Sequence, residues 1–279
     1  MWTTLPLVAA LALAPAQAPT QPKPAEPAAG GLNLTNVRNT YGELGGTRAD
    51  TSFLPGDVLF VAFDIEGITI DAAGRTKYTM AMEVVDKDGK AIFKNDPAEK
   101  SDFAPLGGTK LPARAFVTVG LAQPPGQYTL KVTVTDLANK ASKTLERKFE
   151  VKPKDFGVVA VYTSADPQGQ YPAPTTGVVS QSVWVQFGVV GFARDPKTKQ
   201  PNVTVEMLTV DEQGKPTVPQ PNVYTQDTGI DPKDEGFTLR FLLPMTRDGK
   251  FTVRLKATDK VSGKTASFDL PVAVVKPAN

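Results

Sequence analysis

Four aspartates, one lysine-bearing turn and two large aromatics are the side chains whose types and spacing could carry chemistry in this 279-residue chain. Asp71 and Asp195 stand in connections that follow two similar apolar segments, and Asp136 and Asp259 close two others. Carboxylates gathered at one cluster of loops suit Ca²⁺, which takes oxygen ligands only. Each pair falls short of the six or more oxygens such a site uses, and an aspartate after a strand ordinarily bonds its own turn. Asp71, Asp136, Asp195 and Asp259 are thus candidate calcium ligands whose expected role is turn-making, and no metal or cofactor is expected. Ser262-Gly263-Lys264-Thr265 contains the Gly-Lys-Thr that ends a phosphate-binding loop. The first glycine of such a loop belongs five residues before Gly263, where Thr258 stands, so the segment reads as a turn.

Other chemistry is excluded by what is missing. The chain has no cysteine and no histidine. Thiolate catalysis, cysteine-type zinc sites and the Ser-His-Asp triad are therefore out of reach. Paired carboxylates remain, and glycoside hydrolysis needs nothing else, but no spacing singles out such a pair. A Ser-x-x-Lys nucleophile motif does not occur. An enzyme is not expected. The net charge of +2 is spread without a basic stripe, which argues against nucleic acid and against a polybasic hold on membranes.

The elements that must position these residues are written twice. Phe60-Val-Ala-Phe-Asp-Ile-Glu-Gly67 matches Trp184-Val-Gln-Phe-Gly-Val-Val-Gly191 at an offset of 124. Tyr78–Asp86 matches Val203–Asp211 at 125, and Gly126–Asp136 matches Gly249–Asp259 at 123. Three blocks in one order mark a tandem duplication of a unit long enough to be a domain. Within each copy the hydrophobic period is two, as in Tyr128, Leu130, Val132 and Val134 against Thr129, Lys131, Thr133 and Thr135. Strand patterns fall near 32–39, 58–65, 77–86, 114–121, 127–136 and 143–151, then near 157–163, 182–190, 203–211, 237–243, 250–258 and 265–274. No helical period is convincing, and 25 prolines argue against many helices. The expected fold is all-β, two tandem antiparallel β-sandwiches over 32–152 and 156–276.

Pro125-Gly126-Gln127-Tyr128, leading into Leu-Lys-Val-Thr-Val-Thr-Asp136, resembles the corner and following strand of immunoglobulin-like and fibronectin-type-III-like modules of bacterial secreted proteins. Gly249-Lys250-Phe251 is similar but lacks the tyrosine hydroxyl. The resemblance implies export, tandem arrays and binding or spacing roles, and it supplies no site residues.

The N-terminus reads as an export signal over 1–18. Leu5–Ala18 is apolar yet too short to span a bilayer, and Ala14-Pro15-Ala16 and Ala16-Gln17-Ala18 are small-residue cleavage patterns. No Lys or Arg precedes the apolar run. A Pro/Ala/Gly-rich disordered leader follows over 19–31. The mature chain is expected outside the cytoplasm, secreted or periplasmic, without membrane insertion.

Phe60 and Trp184 occupy equivalent positions, with Leu59, Val61, Phe63 and Val183, Val185, Phe187 on the opposite parity assigned to the core. The two aromatics should point outward. The expected reading has the Pro- and Gly-rich segments 94–114 and 216–236 fold over them; the other is an aromatic platform centred on Trp184 for a sugar ring or partner strand. Pro271 suggests that the last strand is a guarded edge. The junction near Pro153 is short, so little freedom between the copies is expected. Together these features suggest a non-catalytic exported binding or spacer protein engaging a protein or cell-envelope component. The alternatives are a carbohydrate-binding accessory protein using Trp184 and a carboxylate glycosidase.

Overall fold

The computed structural model describes residues 31–277. The proposed export signal and nearly all of the 19–31 leader lie outside the described residues. Those described are all-β, with no helix and 57% strand. The first copy runs β1 (Asn33–Thr40), β2 (Ser52–Phe53), β3 (Val58–Glu66), β4 (Arg75–Asp86), β5 (Ala91–Phe103), β6 (Lys110–Thr118), β7 (Gly126–Asp136) and β8 (Ser142–Val151). The second runs β9 (Gly157–Ser164), β10 (Thr176–Val178), β11 (Ser182–Val190), β12 (Val203–Asp211), β13 (Asn222–Gln226), β14 (Gly236–Pro244), β15 (Gly249–Asp259) and β16 (Thr265–Val275).

Each copy builds a three-stranded and a five-stranded sheet, in orders β1-β3-β6 with β2-β8-β7-β4-β5, and β9-β11-β14 with β10-β16-β15-β12-β13. The duplication holds strand for strand. Within each pair of sheets the period-two residues meet in one core. Leu59, Val61 and Phe63 from β3 join Leu130, Val132 and Val134 from β7. Val183, Val185 and Phe187 from β11 join Val253, Leu255 and Ala257 from β15. Even the irregularities repeat: a bulge in β1 holds Asn36 at φ 51°, and the matching bulge in β9 holds Ala160 at φ 50°.

Four strands, two in each copy, are illegible in the sequence. β2 and β10 are two and three residues long and run parallel to β8 and β16. β5 is exposed along all 13 residues, so no burial pattern marks it, and only its ladder with β4 makes it a strand. β13 likewise extends β12 with mostly exposed residues. The segments 94–114 and 216–236 therefore do not fold over Phe60 and Trp184; β5 and β13 add to the five-stranded sheets, and residues 110–114 open β6 beside β3. Pro271 lies where β16 has a ladder partner in β15 alone. β10 covers only the last three residues of β16, Ala273–Val275, beyond the proline.

The joint between the copies is more than its short connection. Residues 41–51 of the first copy reach across the second as a clasp. Tyr41 meets Phe268 edge-on at 6.0 Å, and Gly46 N donates to Thr175 Oγ1 at 2.9 Å. Gly42, at φ 70°, lies against Tyr162 with no room for a Cβ. Beneath the clasp Arg48 and Asp57 form a buried ion pair at 2.8 Å. The Arg48 guanidinium lies over Phe53 of its own copy and Phe268 of the other, 4.3 and 5.5 Å from the ring centroids. Asp57 Oδ1 also accepts from Ala160 N at 2.8 Å, which ties the second copy's bulge to the first copy's carboxylate.

Burial pushes the phenols of Tyr41 and Tyr162, both at this joint, above their ordinary value. Tyr78, which donates to Asp102 at 2.6 Å, is raised further by burial and by that carboxylate. An unfolded chain releases these protons near pH ~10, while the folded chain keeps them. Stability is therefore complete below that pH and falls as pH rises above it. Urea unfolding between about pH 9 and about pH 11 will show this slope, and Tyr78→Phe will flatten part of it.

Candidate functional site

The four aspartates separate into two roles. Asp136 and Asp259 are fully buried where the loop after the copy's third strand meets the turn after its seventh. Asp136 accepts from Thr69 N and Ala138 N, both at 2.8 Å. Asp259 accepts from Ala193 N at 2.8 Å, Val261 N at 3.0 Å and the Ser262 hydroxyl. Asp71 and Asp195 turn to their own loops, accepting from Ala73 and Arg75 amides and from Lys197 and Thr198 amides. Those amides hold the Asp195 carboxyl below its usual range. So the loops of each copy converge, but through a carboxylate bonded to backbone; the second aspartate stays with its own turn. Among the described residues no group of three or more acidic side chains is placed to hold a metal ion.

Lys264, in the Gly-Lys-Thr turn, pairs with Asp155 of the connection at 2.7 Å. That contact, with the Phe156 amide, holds the Asp155 carboxyl low. Lys154 pairs with Glu235 at 2.8 Å nearby. The turn fastens the joint, in keeping with its reading as a connection between strands.

Phe60 and Trp184 are half-buried on the outer faces of the three-stranded sheets. Phe60 packs beside its ladder partner Phe116, ring centroids 5.8 Å apart. Trp184 has Leu242 as ladder partner, and the Arg240 guanidinium lies 5.9 Å from its ring centroid. Neighbours on the adjacent strand thus occupy these aromatics.

Three concavities compete as sites. A cleft of about 780 Å³ opens between the copies, bordered by Gly56 and Leu121 of the first and by Gln186, Phe237 and Arg240 of the second. Gln186, a buried polar residue of its lining, spends its amide on Ser164 Oγ at 3.0 Å and on the carbonyls of Asp166 and Pro167. The other two are one feature repeated. β6 and β14 are outer strands of the three-stranded sheets, and β5 and β13 are outer strands of the five-stranded ones. On that side each copy is open, leaving an apolar seam between its two sheets. In the first copy the seam measures about 400 Å³ over Met82, Val84, Tyr128 and Phe149. In the second it measures about 450 Å³ over Met207, Phe251, Val253 and Val272. Large apolar side chains stand exposed along both: Ile92, Phe93 and Phe116 in one, Val218 and Leu242 in the other. These seams escape a sequence reading because they depend on which strands end the sheets. Phe93 and Val218 lie in stretches that read as loop.

No protein-family model matches the sequence, and no curated protein is significantly similar to it. Among solved structures, a family 123 glycoside hydrolase from Clostridium perfringens is similar at 13% identity over 43% of this chain and 27% of that one, with a TM-score of 0.31. The DNA-bound alkylpurine DNA glycosylase AlkC of Pseudomonas fluorescens is similar at 15% identity over 42% of this chain and 31% of that one, TM-score 0.27. The matches thus span less than a third of either neighbour, and at these scores neither carries an argument about activity.

Proposed function

We propose that the chain is a non-catalytic exported binding protein made of two immunoglobulin-like modules, and that it engages a protein component of the cell envelope. The strand plan supports the module. A three-stranded sheet faces a five-stranded one, and a short second strand runs parallel to the last. So does the tyrosine corner: Tyr128 Oη donates to Pro124 O, four residues upstream, at 2.8 Å. The export reading rests on the N-terminal sequence.

The observation that carries the binding reading is the repetition of the open seam. Both copies keep an apolar seam beside two outer strands, although a folded monomer gains by closing such a surface. Outer strands with apolar pockets between them suit an extended protein segment, which pairs by its backbone and fills the pockets with alternate side chains. A sugar platform at Trp184 is less well supported, because Arg240 already covers part of that ring.

The test is sedimentation of the purified mature protein with its own cell's envelope fraction, native or protease-treated. Wild type and Trp184→Ala are expected to pellet alike with the native fraction, and neither with the digested one. Pelleting that survives proteolysis and fails in Trp184→Ala would overturn this reading in favour of glycan binding. No pelleting at all would remove the envelope from it.

A further inference from the structure

We propose that the seam of the second copy, between β13 and β14, is the docking site, and that its occupant is an extended apolar protein segment carrying a carboxylate at the Arg247 end. This rests on the binding reading above and narrows it to one seam and one chemistry.

The two copies are built alike, so their differences at the seam are informative. In the first copy the seam is guarded. β5 carries Pro97 within the bulge opposite Ala81, and it carries Lys94, Asp96, Glu99, Lys100 and Asp102. Pro112 interrupts β6 opposite Asp64. Prolines, bulges and charges are the devices that keep an edge strand from pairing with another chain. The second copy has none of them in β13, Asn222-Val-Tyr-Thr-Gln226, where Val223 and Tyr224 are 51% and 46% exposed. No charged residue occurs from Pro216 to Gln226, and the three prolines of that stretch all precede the strand. β14 carries one charge, Arg240, which is turned to the opposite face over Trp184. Its only proline, Pro244, is its last residue.

One charged side chain lines the second seam, Arg247. Its guanidinium stands 5.0 Å from the Phe251 ring centroid, and among the described residues no carboxylate lies within ion-pair distance of it. The remaining lining is apolar or neutral. A lone guanidinium at the mouth of an apolar groove complements a carboxylate attached to apolar groups. The neighbouring strands select its source. β13 and β14 each have a ladder partner on one side only, and the groove is lined by the start of β13 at Asn222 and the end of β14 at Leu242–Pro244. Another backbone can pair with the open side of such a strand, and an acyl chain cannot.

The test is fluorescence anisotropy with the full mature chain and four labelled peptides. Each alternates valine and threonine over eight residues; two add aspartate at the first or the last position, and two add asparagine there. One aspartate peptide is expected to bind about tenfold tighter than its asparagine control. Arg247→Gln, a change at an exposed side chain, should erase that preference without altering the circular dichroism spectrum. Leu242→Lys at the rim should weaken all four peptides, and Phe93→Lys at the guarded seam should weaken none. Equal binding of aspartate and asparagine peptides, preference that survives Arg247→Gln, or no peptide binding would overturn the proposal. Binding of laurate alone, lost in Arg247→Gln, would assign the groove to an acyl chain instead. If the peptides fail while protease-sensitive pelleting with the envelope persists, this seam is wrong and the wider binding reading stands. Loss of the pelleting itself takes away the wider reading.

Discussion

Asp57→Ala is expected to destabilise the folded chain by about 3–5 kcal/mol, read as a lowered urea midpoint. The substitution leaves the Arg48 cation buried between Phe53 and Phe268 with only Asp50, 3.9 Å away, as a distant counter-charge. It also leaves the Val58 and Ala160 amides without their acceptor. Removing one partner of a buried pair costs more than removing both, because the survivor keeps its desolvation penalty. The double change Arg48→Met with Asp57→Leu should therefore recover most of the loss. A loss below about 1 kcal/mol in Asp57→Ala would show that water reaches the pair and that it acts as a surface one.

Gly191→Ala comes next in size. Gly191 follows β11 at φ 68°, a conformation that costs an L-residue about 1–2 kcal/mol. Its Cβ would also stand 2.6 Å from the Asp155 carbonyl carbon and 2.9 Å from the Phe156 nitrogen. Both are backbone atoms of the connection, so no rotamer relieves the overlap. The expected loss is about 3 kcal/mol or more, again from urea unfolding. The control is Gly214→Ala, at φ 75° with open space around it, which should lose only the conformational part. Equal losses in the two variants would mean that the connection yields and the joint is soft.

Much of the fold was legible because burial wrote it into the sequence. Tyr128, Leu130, Val132 and Val134 face a core, so their alternation and its echo in Phe251, Val253, Leu255 and Ala257 survive as pattern. β5 was not legible, since Lys94-Asn-Asp-Pro-Ala-Glu-Lys100 faces water on both sides and is held by backbone pairing alone. The joint was hidden for another reason. Asp57 and Gln181 occupy equivalent places: each offers its backbone carbonyl to one amide, that of Val119 or Met245. The copies differ there in side chain, and only the fold shows that the difference buries a charge. A sequence comparison of the two copies could have flagged Asp57 as a departure, though not its partner Arg48. At the seams the residues were visible and their exposure was not, because exposure depends on where each sheet stops.

The clasp gives the tandem a direction. Residues 41–51 of the first copy pack on the second through Tyr41, Gly42 and Gly46, whereas the corresponding connection of the second copy has Ala165 in the place of Tyr41. The backbone closures themselves repeat: Tyr41 N bonds Gly46 O and Arg48 N bonds Asn39 O in the first copy, as Ala165 N bonds Tyr171 O and Ala173 N bonds Thr163 O in the second. The duplicated units are therefore not interchangeable building blocks. Exchanging their order would place a unit without a clasp ahead of one without the Tyr162, Thr175 and Phe268 receptor. Repeating the second unit would add a joint that has the receptor but no clasp. A gene that lengthened by such steps would encode units joined by their short connections alone, without the contacts that Tyr41, Gly42 and Gly46 make here.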